Sequence, residues 1–287
     1  VTTYNVAGVG SSIVSGPDGN LWFTMPGINA IGRSTTGGVV TEFIIPTTGS
    51  QPATIAPGAD GNLWFTESAG NKVGRITPAG AMSEFAVPTV GSQPSGITAG
   101  PDGNVWFTEL AGDKIGRITP SGTITEFPIL IANSEPSGIV AGPDGNLWFT
   151  ESQANEIGSI TPEGTIVGYP ISLSVSPQMI VAGPDGNLWF GENALSMGQI
   201  STQGTIGEIV TSIDTSVLAV GPDGNLWFCA GGYYYYYGYG TTANLYRMTT
   251  EGVATGFSLD FAPSAITAGP DGNLWMTESG AIAVVAP

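Results

Sequence analysis

Five glutamates occupy the same place in a recurring motif, each closing a run that begins with tryptophan: Glu67, Glu109, Glu151, Glu192 and Glu278. The two remaining copies place Met25 and Ala230 there. Carboxylates are the ligands that hard cations prefer, so several facing one space would hold Ca²⁺ or Mg²⁺. The competing arrangement has each acid bonded to the amides of its own loop. A second feature is a run of tyrosines, Tyr233, Tyr234, Tyr235, Tyr236, Tyr237 and Tyr239, set among Gly231, Gly232, Gly238 and Gly240. Tyrosine offers apolar area and a hydroxyl at small entropic cost, which suits a binding surface. The partners it fits are a further copy of this chain, another surface protein or a glycan. Alternatively, the segment folds down over its own molecule.

Other chemistry is excluded. The chain contains no histidine. Six basic residues against 23 acidic ones, a net charge of −17, leave no basic stripe for nucleic acid. A single cysteine, Cys229, rules out an internal disulfide or a thiolate cluster, and its neighbours make it a buried, inert position. No apolar run reaches the roughly 18 residues that a membrane span needs. Charged residues make up 10% of the chain, against about 25% in ordinary soluble domains. The Gly/Thr/Ser-rich, lysine-poor remainder points to an extracellular or cell-surface location.

These residues are positioned by one octapeptide, Gly-Pro-Asp-Gly-Asn-Leu-Trp-Phe, complete at Gly16–Phe23, Gly142–Phe149, Gly183–Phe190 and Gly221–Phe228. Near-copies stand at Gly58–Phe65, Gly100–Phe107 and Gly269–Met276. All seven tryptophans belong to it, spaced 42, 42, 42, 41, 38 and 48 residues apart, the signature of a repeat array. Pro-Asp-Gly sets a tight turn: proline fixes φ, the aspartate bonds its own backbone and glycine takes φ > 0. The seven aspartates are therefore turn-formers. The strand that follows carries Leu21 and Phe23 on one side and Trp22 and Thr24 on the other, so both faces need cover.

Each repeat divides into four strands; in the second copy these are 50–57, 62–67, 71–77 and 82–87. Nothing has helical period. Four-stranded units of about 40 residues with Gly/Pro turns predict an all-β, seven-bladed propeller spanning residues 1–287. Residues 1–6 read as an outer strand without its blade, and the last copy ends after its third strand. The N-terminal strand is thus expected to complete the seventh blade, or else a neighbour's. Arg33, Arg75 and Arg117 precede Glu42, Glu84 and Glu126 by nine residues, and cross-strand ion pairs are expected. The fourth copy loses both members, to Ser159 and Gly168.

Trp-Phe-Thr-Glu followed by Asn-Lys-Val-Gly-Arg-Ile-Thr-Pro, at 64–67 and 71–78, resembles the streptogramin (virginiamycin B) lyase family of seven-bladed propellers. The resemblance covers essentially the whole chain. It implies a fold, and for enzymatic members a metal-assisted elimination that opens a cyclic depsipeptide at its ester. It also implies a site of histidines and glutamates around Mg²⁺ on one face. The histidine position, carried onto this chain, falls five residues before each octapeptide. It reads Ser11, Ala53, Ser95, Ser137, Gln178, Ser216 and Ser264. The acid two residues before the last of these is Ala262, and only the strand-end acid, Glu278, remains. Elimination needs a base and an acid. The expected reading is a non-catalytic interaction or structural propeller that self-associates, into fibres or a surface assembly. A sugar- or small-ligand-binding propeller is the alternative, and a diverged metal-dependent lyase the third.

Overall fold

The structure is a computed structural model, and it describes residues 1–8, 10–172, 176–191, 196–210, 215, 217–230 and 243–287. The tyrosine run, Glu192 and Ser216 lie outside the described residues. Within them the chain forms seven four-stranded antiparallel sheets, the blades of a propeller. The second blade runs Pro52–Pro57, Leu63–Glu67, Lys72–Ile76 and Met82–Ala86 from the axis outward. Each innermost strand contacts the innermost strands of the blades on either side, all the way round the ring.

The alternation read in the sequence builds the junctions. All five residues of Leu63–Glu67 are buried. Trp22 and Ile31 of the first blade pack against Leu63, Phe65 and Ile76 of the second. The same pairing closes the ring, where Trp275 meets Leu21 and Phe23. The turn ahead of each second strand is also as expected: Gly19 has φ +73° and its N–H donates to Gly16 O at 3.1 Å. The aspartate does one thing the sequence reading missed. Asp18 Oδ1 accepts the indole N–H of Trp22, and all seven copies repeat the bond at 2.8–3.1 Å. Partial burial raises the Asp18 pKa, but the bonds from Asn20 and Trp22 outweigh it and hold the carboxyl below its usual value.

One glycine is required by close approach. Gly74 lies opposite Phe65 in register, and the Phe65 ring fills the space that a Cβ at residue 74 would take. Gly74→Ala is expected to destabilise the protein by about 1–3 kcal/mol, the range for overpacking. Urea denaturation at fixed pH checks it.

The strand Thr2–Asn5 completes the seventh blade, pairing antiparallel with Ala281–Val285 so that Thr2 faces Val284 and Asn5 faces Ala281. Tyr4 stacks on Trp275 with ring centroids 5.9 Å apart, as Phe43 does on Trp22 and Phe85 on Trp64.

The arginine pairs come out otherwise. Arg75 faces Ser83 and Glu84 faces Gly74, so the two are adjacent in register and point to opposite sides of the sheet. The Arg75 guanidinium instead lies over Trp64 and Phe85, at 5.4 and 5.6 Å, and donates to Pro120 O of the next blade at 2.7 Å. Arg33 and Arg117 repeat this, donating to Pro78 O and Pro162 O. The glutamates pair with lysines: Lys72 with Glu84 at 3.5 Å and Lys114 with Glu126 at 2.9 Å.

Candidate functional site

The described positions where the family resemblance called for histidine lie at the start of the innermost strands, around the axis. There they surround a cavity of about 390 Å³ whose lining includes Ser11, Ser95, Ser137, Gln178 and Ser264. Below them the wall is apolar, with Ile13, Ile97, Ile139, Ile180 and Ile266. Ala53 borders a neighbouring opening with Ser11 and Ser68. None of the described lining residues is titratable in the physiological range.

The hydroxyls around this mouth serve the ring itself. In the first four blades the second strand sends a buried threonine to the next blade's carbonyl at the position matched to the family histidine, whereas Thr277 Oγ1 of the seventh blade has no hydrogen-bond partner. Thr24 Oγ1 donates to Ala53 O at 2.9 Å, Thr66 to Ser95 O at 2.6 Å, Thr108 to Ser137 O at 2.8 Å and Thr150 to Gln178 O at 3.1 Å. Ser11 Oγ bonds Thr24 Oγ1 at 2.8 Å, and Ser137 Oγ bonds Thr150 Oγ1 at 2.9 Å. Two blades lack the threonine, having Gly191 and Cys229 in its place. The Cys229 thiol is buried and pushed up to about 12 by that burial, as its neighbours in sequence implied.

Among the described residues, the buried strand-end glutamates do not share a space. Position five of the second strand lies on the same side as Leu63 and Phe65, so it points into the junction with the preceding blade, one strand out from the axis. Glu67, Glu109 and Glu151 are each buried in a junction of their own. Among the described residues no three His, Cys, Asp or Glu side chains gather closely enough to hold a metal, so Glu67, Glu109 and Glu151 do not form a common ligand set. Both carboxyl oxygens of Glu67 and of Glu109 lack a hydrogen-bond partner. Burial, and then the neighbouring Glu84 carboxylate, pushes Glu67 up to about 8. Burial and then Glu126 push Glu109 to about 7. Burial and then Glu156 do the same to Glu151, also to about 7. Beside the first two sits an ammonium: Lys72 Nζ donates to Thr47 Oγ1 and Lys114 Nζ to Thr89 Oγ1, both at 2.5 Å. Glu278 is only half-buried, and burial raises its pKa.

The Virginiamycin B lyase family model matches residues 1–177. The chain belongs to the virginiamycin B lyase family. Virginiamycin B lyase from Staphylococcus aureus is 33% identical and superposes with a TM-score of 0.90, covering 100% of this chain and 98% of that one. A catalytically inactive histidine-to-alanine variant of the S. aureus lyase, solved with quinupristin, is 33% identical over 98% of this chain and 97% of its own, with a TM-score of 0.88. Virginiamycin B lyase of Bordetella parapertussis is 51% identical over 43 residues, a stretch that spans 15% of this chain and 14% of that protein. The axial mouth of this chain holds hydroxyls and an amide but no imidazole.

Proposed function

We propose that this chain is a non-catalytic member of the virginiamycin B lyase family that acts by association at the cell surface or outside the cell, in the first place with copies of itself. The observation that carries the reading is the axial mouth. Removing a proton α to a carbonyl while protonating a departing alkoxide takes a base and an acid near neutrality. The described lining supplies neither, and the hydroxyls of Ser11 and Ser137 donate to Ala53 O and Gln178 O of the next blade. The inactivity of the S. aureus histidine-to-alanine variant agrees with this.

Association is supported by the low charge density, since few ions must be desolvated on contact. The connections leaving the fourth strands carry Val90 and Leu130, exposed to 94% and 97%. They emerge on the same face as the described connections between second and third strands. Quinupristin incubated with the purified chain and Mg²⁺ is expected to remain intact by mass spectrometry. The weight-average mass from light scattering is expected to climb with protein concentration. Ring-opened product, or a strict monomer at high concentration, would each remove its half of the proposal. A second reading, binding of a small neutral ligand such as a sugar, is favoured by the uncharged, hydroxyl-rimmed cavity. Glycan binding that disappears when the tyrosines become alanine would support it.

A further inference from the structure

The junction between the third and fourth blades breaks a charge pattern that its two predecessors keep. At those, the buried carboxyl (Glu67 or Glu109) is accompanied by an ammonium (Lys72 or Lys114), which is bound to a threonine hydroxyl and to an outer-strand carboxylate, Glu84 or Glu126. In the fourth repeat the buried carboxyl is kept as Glu151, 1% exposed, and its Oε2 has no hydrogen-bond partner. The lysine has become Glu156, the threonine Ile131 and the outer glutamate Gly168.

The replacements interlock. Glu156 lies opposite Glu151 on one side and Pro170 on the other, and its side chain leans along the sheet over Gly168. Its Oε2 occupies the room that a Cβ on residue 168 would need. A carboxylate delivered from the neighbouring strand therefore stands over the outer-strand position that carries Glu84 and Glu126 at the preceding junctions, while the lysine's positive charge is gone. Asp113 adds a further negative charge where the first two junctions have Asn29 and Asn71. Its oxygens are taken by the N–H groups of Asn133, Ser134 and Glu135, so it contributes field rather than a ligand.

We propose that this junction binds a hard divalent cation of the calcium class in the seat that a lysine ammonium fills at the two preceding junctions. Glu151 and Glu156 supply the charged ligands, and the buried Ser134 hydroxyl and water complete the oxygen shell. Glu156 is half-exposed, which leaves a route for the ion from solvent. Two carboxylates make a weak site, with a Kd on the order of 10⁻⁴–10⁻³ M, the range of extracellular calcium modules.

The test is isothermal titration calorimetry of the full chain with CaCl₂ at pH 8, after treatment with chelator, alongside thermal melting. One ion per chain should bind, and 10 mM Ca²⁺ should raise Tm by several degrees. Glu156→Lys, which restores the pattern of Lys72 and Lys114, should abolish both effects and raise the calcium-free Tm. Glu151→Gln should abolish binding, while Glu109→Gln, at the preceding junction, should leave it intact. No heat and no calcium-dependent shift in the wild type would overturn the proposal. So would binding that survives Glu156→Lys, or that Glu109→Gln removes equally.

Discussion

The stability of this protein is expected to peak near pH 4.5 and to fall steadily as the pH rises to 8. The cause is the pair of buried carboxyls at the first two junctions. Glu67 and Glu109 titrate from an ordinary value of 4.5, and folding moves them to about 8 and about 7. Between those limits the folded ring holds protons that the unfolded chain has released. Stability then decreases with pH, by about 1.4 kcal/mol per pH unit for each such group. The stabilisation is complete below 4.5 and used up once the pH passes the folded values, so the curve flattens above pH 8. A proton also converts Glu67 from an acceptor-only group into a donor that can face the Glu84 carboxylate.

The turn aspartates act with the opposite sign. Asp18 and Asp60 sit below their usual 3.8 when folded, so their contribution is present above 3.8 and lost as the pH falls through the folded value. The two families of carboxyl thus bracket the maximum. Glu67→Gln keeps the shape without the titration. It should remove one proton's share of the slope and leave the variant more stable than wild type at pH 8, by an amount that thermal or urea denaturation resolves easily. A Tm flat between pH 5 and pH 8 would falsify the assignment.

Removing residues 1–6 should have the largest effect of any small change. The deletion strips the outer strand from the seventh blade and leaves the edge of Ala281–Val285 unpaired. It also takes away Tyr4, which covers Trp275 on one side and Gly38 of the first blade on the other. An open sheet edge recruits other chains. The truncated protein should lose its cooperative melt or associate, with a red-shifted tryptophan emission as Trp275 meets water. A synthetic Val-Thr-Thr-Tyr-Asn-Val peptide added in trans should restore part of the stability by strand addition. Tyr4→Ala alone should cost about 2–3 kcal/mol, since one side of a partly buried aromatic is lost. A truncated chain that melts like the full one would mean the closing strand contributes no measurable stability.

The sequence by itself determined the wheel. The spacing of the tryptophans counts the blades, Pro-Asp-Gly places each turn, and alternation within Leu-Trp-Phe-Thr tells which side meets which neighbour. Unpaired strand character at residues 2–5 and a last repeat one strand short also point to the closure. It showed as well that imidazole is missing from the axial positions. All of these are properties of residues adjacent in the chain, or of the repeat's own period, and a tight turn or a pleat enforces them locally.

Only the tertiary structure decided what the charges do. Nine residues of separation suggested that Arg75 meets Glu84, but a one-residue offset in register puts them on opposite sides, and the arginine reaches Pro120 in the next blade. Glutamates at five strand ends left open a shared set of ligands on one face; alternation instead turns Glu67 sideways, toward Ser50 of the preceding connection and Glu84 of the outer strand. The Asp18–Trp22 bond and the Lys72–Thr47 bond were likewise invisible in the sequence reading. A side chain's partners at a blade junction come from two repeats about 40 residues apart. Their distance and dielectric are set when two twisted sheets pack face to face, which no single repeat encodes.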